Sequence, residues 1–428
     1  MSGSSTSPGE GLSVIRSVDR CHWFYSASEA RDCLPPPMRR MASALCLGLH
    51  LFGCTCHPTP AEPLERAPTS AELATFVRSS NELGWGLYDR LADDDQPNLL
   101  VSPAGVALAL TILEAGSAGA TRDELLAVLN DGDPDEEGLQ LAAGGALDLA
   151  GLTSASHLIV AEGLDVGDPF RRAVRRRLGA RVVVADPSGP SSGSDRIRPA
   201  DLAPTARAAV VTRLRFGGRW VHPLVSRLVS PSAFVRLDGE RVFVPTMWLR
   251  ARLRCARVAG MTVVELPYEG NRFSMLLARP EPQAQLDVSA ATTNAWLEAL
   301  ESSDVELSLP RFAFGPQRHR LKAALAELGV EQAFDPERAD LSRLANTEPP
   351  LSVDSVVQNA RIEVDEYGTR AEATTVASLA DSASEPPQLS VRFDRPFFFL
   401  LRDDETGLIA FLGRVGDPQA RDTPTRTP

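Results

Sequence analysis

Few side chains in this chain are spaced for catalysis. The six histidines (His22, His50, His57, His157, His222 and His319) show no His-Glu-x-x-His pair and no other metal-ligand spacing. Five cysteines (Cys21, Cys33, Cys46, Cys54 and Cys56) precede residue 57, and only Cys255 lies in the body, which excludes a disulfide framework or zinc site there. Gly-x-Ser-x-Gly, GxGxxG and the Walker loop are absent, and Ser191-Ser192-Gly193-Ser194 has no histidine beside it. Asp93-Asp94-Asp95 and Asp403-Asp404-Glu405 are expected to be solvated acidic turns. The residues therefore point to no enzyme, no cofactor and no metal.

The spacing that does stand out is that of a strand. Residues 362–384 read IEVDEYGTRAEATTVASLADSAS, mostly small after Gly368. Thr369, Ala371, Ala373, Thr375 and Ala377 share one parity, and Arg370, Glu372, Thr374, Val376 and Ser378 the other. In a strand the two sets lie on opposite faces. One slim face is suited to entering a packed interior while the other keeps charge toward solvent. The segment is too polar to specify a central strand at the outset, so it reads as a long exposed loop hinged at Gly368 that can become one. A plain surface loop of small residues is the alternative.

Around that segment, the chain has 428 residues, 43% hydrophobic and 23% charged, enough for a full core. Its formal net charge of −12 argues against sequence-independent nucleic-acid binding. Residues 1–37 are rich in Ser, Gly and Pro and read as a disordered or non-native extension. Residues 38–53 follow, with Arg39 and Arg40 before an apolar run of 12 residues, Ala42 to Gly53. A span needs about 20 apolar residues, so this is a signal peptide and not a transmembrane helix. Leu51-Phe52-Gly53-Cys54 resembles a bacterial lipobox, which makes Cys54 the expected lipidation site. Residues 54–71 form a Pro-rich tether, and 419–428 a disordered tail.

The body, 72–418, mixes helices and strands without a βαβ rhythm, which indicates α+β. Apolar spacing predicts a helix through Leu73, Phe76, Val77, Leu83, Leu87 and Leu91, and two more broken at Gly116–Gly119, the second capped by a Thr121/Glu124 box. A basic helix is expected at 170–178 and another helix at 321–330, stopped by Gly329. Strands are expected at 180–185, 263–268, 273–280, 305–312, 397–401 and 408–415.

Five ordered segments then carry a resemblance: NLLVSPAGVALALTILEAGSAGATRDELLAVL, TRLRFGGRW (212–220), VVELPYEGNRFSMLLARP (263–280), VELSLPRFAF with LKAALAELGVEQAFDPERADLSRL, and RPFFFLLRDDETGLIAFLGRVGDP. Together they resemble the serpin family from about Glu72 to Pro418. The resemblance implies a large mixed central sheet, smaller sheets, surrounding helices and an exposed reactive-centre loop. It implies a serine protease inhibitor, in which the protease serine attacks a loop carbonyl and the freed loop inserts into the main sheet. Glu366, Gly368, Thr369, Ala371, Ala373 and Thr375 become the hinge. Ser102, Thr212, Gln358, Trp220 and Arg311 become the sheet gate, with Arg311 and Glu366 as an ion pair. By loop length the scissile bond falls at Ser382-Ala383, with Leu379 and Ala380 as competing bait. Such bait suits a serine protease with a small or aliphatic pocket, the inhibitor acting as an exported monomer that meets a membrane only through its lipid.

The sequence also departs from the family. Gly105, Thr212 and Gln358 stand where serine, asparagine and histidine are usual. The segment 186–212 is short, and its prolines leave no amphipathic helix to cross the main sheet. Those departures keep open a non-inhibitory serpin acting as a cell-surface binding module.

Overall fold

The computed structural model describes residues 66–419, apart from 94–95, 134, 149–150, 186–206, 225–230, 283, 285–287 and 370–386. The described residues belong to one unit, Ala61–Pro428. The first half contains α1 (Ser70–Leu91), β1 (Asn98–Val101), α2 (Pro103–Gly116), α3 (Gly119–Leu129), α4 (Glu136–Leu147), β2 (Leu152–Ala161), α5 (Asp168–Leu178) and β3 (Arg181–Ala185). Then come β4 (Ala208–Phe216), β5 (Gly218–Arg219), β6 (Pro231–Val235), β7 (Arg241–Val258), β8 (Met261–Pro267), β9 (Phe273–Pro280) and α6 (Ala290–Ala299). The last elements are β10 (Glu301–Pro310), β11 (Phe312–Arg320), α7 (Lys322–Glu327), β12 (Ser355–Val364), β13 (Gly368–Thr369), β14 (Leu389–Arg392), β15 (Phe397–Asp403) and β16 (Ile409–Val415).

Two sheets result. One runs β1-β16-β15-β9-β8-β7-β10-β14, with β6 paired to β7; the other runs β3-β2-β4-β12-β13-β5, with β11 paired to β12. β15 shows why the first sheet reads as an unbroken apolar run. Phe397 and Phe399 pack on Phe312, each at 5.7 Å, while Phe398 faces the other way onto Trp85 at 5.7 Å and Trp296 at 6.2 Å. A strand covered on both faces has no polar side to alternate with. The second sheet reaches the first through β11, where Gln317 and His319 act on the backbone of β1. Leu100 N–H donates to Gln317 Oε1 at 2.8 Å, Gln317 Nε2 donates to the Asn98 carbonyl at 2.9 Å, and His319 Nε2 lies 3.1 Å from the Leu100 carbonyl. α2 is buried along its whole length, started by Ser102 as N-cap and Pro103 in the first turn.

Most expected elements are present, with four corrections. The Thr121/Glu124 capping box does not form, because α3 starts earlier, at Gly119 behind Ala118. Thr121 instead accepts from Asp340 N, and Glu124 accepts from the N–H groups of Glu331 and Gln332, so both hold a crossing loop. The run 305–312 is two strands, β10 and β11, that part at Arg311 into different sheets. The helix at 321–330 is only Lys322–Glu327, ended before Gly329 at φ +96°. Asp403 is not solvated: it is fully buried, lies 3.1 Å from Arg272 Nε and accepts from Thr406 Oγ1 at 2.6 Å. The turn after β15 folds back over its own carboxylate. Asp403→Ala leaves those donors unanswered and is expected to cost about 2–3 kcal/mol, read as a lower urea midpoint.

Candidate functional site

The site is a slot in the second sheet. β4 and β12 run parallel, and their ladder extends only from Ala209↔Ser355 to Arg213↔Asn359. Beyond it the next pairing is made by β13, whose two residues lie antiparallel to both neighbours: Val364↔Thr369 on β12, and Gly368↔Arg219 with Thr369↔Gly218 on β5. β5 follows β4 after a single residue, so β13 occupies the top of the gap between the strands flanking it. Two parallel strands can each accept the same antiparallel strand between them. Among the described residues, β4 and β12 pair with each other at one end, and at the other β13 stands between β12 and β5.

Several side chains fix those two residues. A Cβ on Gly368 would overlap the Gly218 carbonyl oxygen, and one on Gly218 would lie 2.7 Å from both Phe216 and Tyr268. Glycine at 368 lets the β13 and β5 backbones meet, and glycine at 218 leaves room for the two rings. Thr369 is buried, and its hydroxyl lies 2.6 Å from Tyr268 Oη. Tyr268 stacks on Trp220 at 4.3 Å and meets Phe216 edge-on at 4.8 Å. Burial holds the Tyr268 phenol well above its ordinary value of 10. Trp220 Nε1 donates to the Asp365 carbonyl at 3.0 Å, Trp220 N–H to the Tyr367 carbonyl at 2.9 Å, and Leu224 N–H to the Glu366 carbonyl at 2.8 Å. Arg311 forms an ion pair with Glu366, whose side chain is nearly buried.

The lower end is built differently. Ser156, Thr212, Gln358 and His319 stand opposite one another across β2, β4, β12 and β11, a polar row spanning four strands. Gln358 Nε2 donates to the Ser102 carbonyl at 3.2 Å. Ser102 Oγ donates to the Ala410 carbonyl at 2.8 Å and accepts from Gly105 N. Among the described residues, the buried Ser156 Oγ, Thr212 Oγ1 and Gln358 Oε1 have no hydrogen-bond partner. A row with three unanswered oxygens binds β4 to β12 less firmly than a completed network would.

The expected gate therefore divides in two. Ser102, Thr212 and Gln358 form the lower cluster, while Trp220 and Arg311 join Glu366, Gly368 and Thr369 at the top, about 20 Å up the strand. Ala371, Ala373, Thr375, Leu379, Ala380, Ser382, Ala383 and Cys54 lie outside the described residues, as do 1–65 and 186–206. Two participants had no place in the sequence reading. Tyr268 ends a strand motif, and the one hint was a phenol that needs a partner once buried. His319 enters the row because a register shift between Phe314 and Gln317 sets it opposite Gln358. No sequence pattern announces that shift.

Comparison with known proteins bears on this arrangement. The family model described as serpin (serine protease inhibitor) matches residues 78–418. The chain belongs to the serpin family. Serpin-Z2A of Triticum aestivum is 28% identical over 394 residues, covering 81% of this chain and 98% of that protein. Glia-derived nexin of Rattus norvegicus is 30% identical over 357 residues, covering 75% of this chain and 88% of the relative. Among solved structures, native protease nexin-1 with heparin aligns at a TM-score of 0.70 and 24% identity, over 82% of this chain and all of that one. Human thyroxine-binding globulin with its hormone aligns at 0.72 and 22%, also over 82% of this chain and all of that one. The serpin fold, α+β with mixed sheets, is thus shared with proteins of different occupation.

In this serpin, Tyr268→Phe removes the bond to Thr369 and is expected to cost about 1 kcal/mol at neutral pH. The native phenol keeps its proton above pH 10, where the unfolded chain loses it. Its contribution is complete below pH 10 and falls as pH rises further. Urea titrations at neutral and at strongly alkaline pH should show the gap between wild type and variant narrowing; a constant gap would refute the assignment.

Proposed function

We propose that this serpin inhibits a serine protease by loop cleavage and insertion. The observation that carries the proposal is β13, seated at the top of the slot and antiparallel to both flanking strands. A strand continuing from Thr369 toward Ser382 descends between β12 and β4, rising roughly 3.3 Å per residue over a travel on the order of 45 Å. A dozen ladder hydrogen bonds at about 1 kcal/mol each supply on the order of 10 kcal/mol before packing. That is enough to distort an attached acyl-enzyme. Ala371, Ala373 and Thr375 continue the parity of the buried Thr369 and are small enough to enter. The bond cut is Ser382-Ala383, with Leu379 and Ala380 in reach, and the target is an elastase-like or subtilisin-like protease with a shallow apolar pocket. Residues 38–53 direct export, Cys54 takes the lipid and 54–71 tether the domain at the cell envelope, where it acts as a monomer.

A second reading, a non-inhibitory surface binding module, is favoured by one observation: Thr212 Oγ1 and Gln358 Oε1 stand buried without a partner at the gate. The two readings differ in what happens after cleavage. Incubation with elastase-like and subtilisin-like proteases should give an adduct that survives denaturing electrophoresis, and the cleaved protein should melt at a much higher temperature than the intact one. Cleavage without an adduct and without that rise would establish the binding module instead. Thr369→Arg puts a long cation at the buried hinge position and is expected to turn inhibitor into substrate, cleaved at the same bond with the adduct lost.

A further inference from the structure

The first sheet holds a cleft that the hinge does not use. β6, β7, β10 and β14 pair in succession. Val235 N–H donates to the Asp394 carbonyl at 2.9 Å, which brings the chain leaving β14 back to the end of β6. Residues from all four strands line an open cleft of about 440 Å³, a size suited to a small molecule. Register sets its floor. Ser308 on β10 stands opposite both Trp248 on β7 and Arg392 on β14, so the three side chains share one face. Thr246 and Val244 extend the lining along β7, and Arg241 joins it at the start of that strand.

The polar groups of this cleft are unspent. Arg241 and Arg392 are exposed, and neither side chain has an ion-pair or hydrogen-bond partner among the described residues. Elsewhere on β7 the arginines are answered: Arg250 lies 2.7 Å from Asp304 and Arg254 2.8 Å from Glu265. Asp394 is the one acid among the described residues of the lining, and it is already shared between Arg395 at 3.0 Å and Arg279 at 3.7 Å. Ser308 is only 5% exposed, yet its hydroxyl has no partner among the described residues. Trp85, Trp220 and Trp296 each pack on another ring, whereas the half-buried Trp248 has no ring partner among the described residues. Free guanidinium groups, an unbonded hydroxyl and an unstacked indole thus line a single concavity.

We propose that this cleft binds a small aromatic anion, a flat ring system carrying an acid group. A guanidinium donates paired hydrogen bonds to the oxygens of such a group, the Ser308 hydroxyl can donate another, and the Trp248 face offers the rings a surface to stack on. None of these residues belongs to the hinge or the gate, so the site stands whether or not the loop inserts.

The full chain is titrated with 8-anilinonaphthalene-1-sulfonate and, separately, with N-phenyl-1-naphthylamine, which has the same rings without the charge; fluorescence reports both. About one equivalent of the anion is expected to bind, about tenfold more tightly than the neutral compound. The double variant Arg241→Gln, Arg392→Gln should erase that preference and leave the neutral compound as it was. Trp248→Leu should weaken both compounds alike, and Arg250→Gln, on the same strand but paired, should change neither. Equal affinity of wild type for the two compounds would overturn the proposal, as would the absence of stoichiometric binding or a preference that survives the double variant. An equal loss from Arg250→Gln would reduce the effect to net charge and overturn it too. Both arginines are exposed, so the double variant is expected to melt with wild type; should it melt early, the single variants Arg241→Gln and Arg392→Gln give the same reading.

Discussion

Everything at the site depends on unequal hydrogen bonding between two parallel strands. β4 and β12 share a ladder over five residue pairs at one end, while at the other their backbone groups must turn to a third strand. Backbone donors and acceptors inside a protein are seldom left unanswered. β13 is that third strand. Its two residues satisfy the top of the slot and set the direction in which any further pairing must run.

The packing around β13 follows from that constraint. Gly368 and Gly218 are demanded for different reasons, since a methyl group on Gly368 would meet the β5 backbone and one on Gly218 the rings of Phe216 and Tyr268. Space is then closed by rings: Trp220, Tyr268 and Phe216 form a dry platform beneath the glycines. The polar ends of those rings are spent on the incoming strand, the indole on the Asp365 carbonyl and the phenol on the Thr369 hydroxyl. The Arg311–Glu366 pair closes the outer side, where half the arginine still meets water and the net contribution is small. The top of the slot is therefore well satisfied. The lower row is not, since three of its four side chains keep an unanswered oxygen.

Much of this was legible in the chain. The phenylalanine run of β15, the glycine-ended turns and the buried α2 each follow from local rules of pattern and capping. The alternation after Gly368 marked a potential strand; of its residues Thr369 lies within the described structure and is buried. Errors arose where a local signal met a distant competitor. Thr121 and Glu124 have the spacing of a capping box, but the loop at 331–340 offers them backbone donors that a helix end does not. Asp403 reads as one of three acids in a turn, yet Arg272, in the turn just before β9, draws it inside.

Residue types and their order determined that this chain builds an α+β serpin body and that small side chains alternate after Gly368. Those properties belong to a segment and its immediate neighbours, and periodicity reports them. Tertiary structure alone decided that Tyr268 meets Thr369 and that His319 faces Gln358. Each of these joins residues far apart in the chain through a register. A single bulge or one close glycine contact sets such a register, and neither leaves a pattern in the residues it brings together.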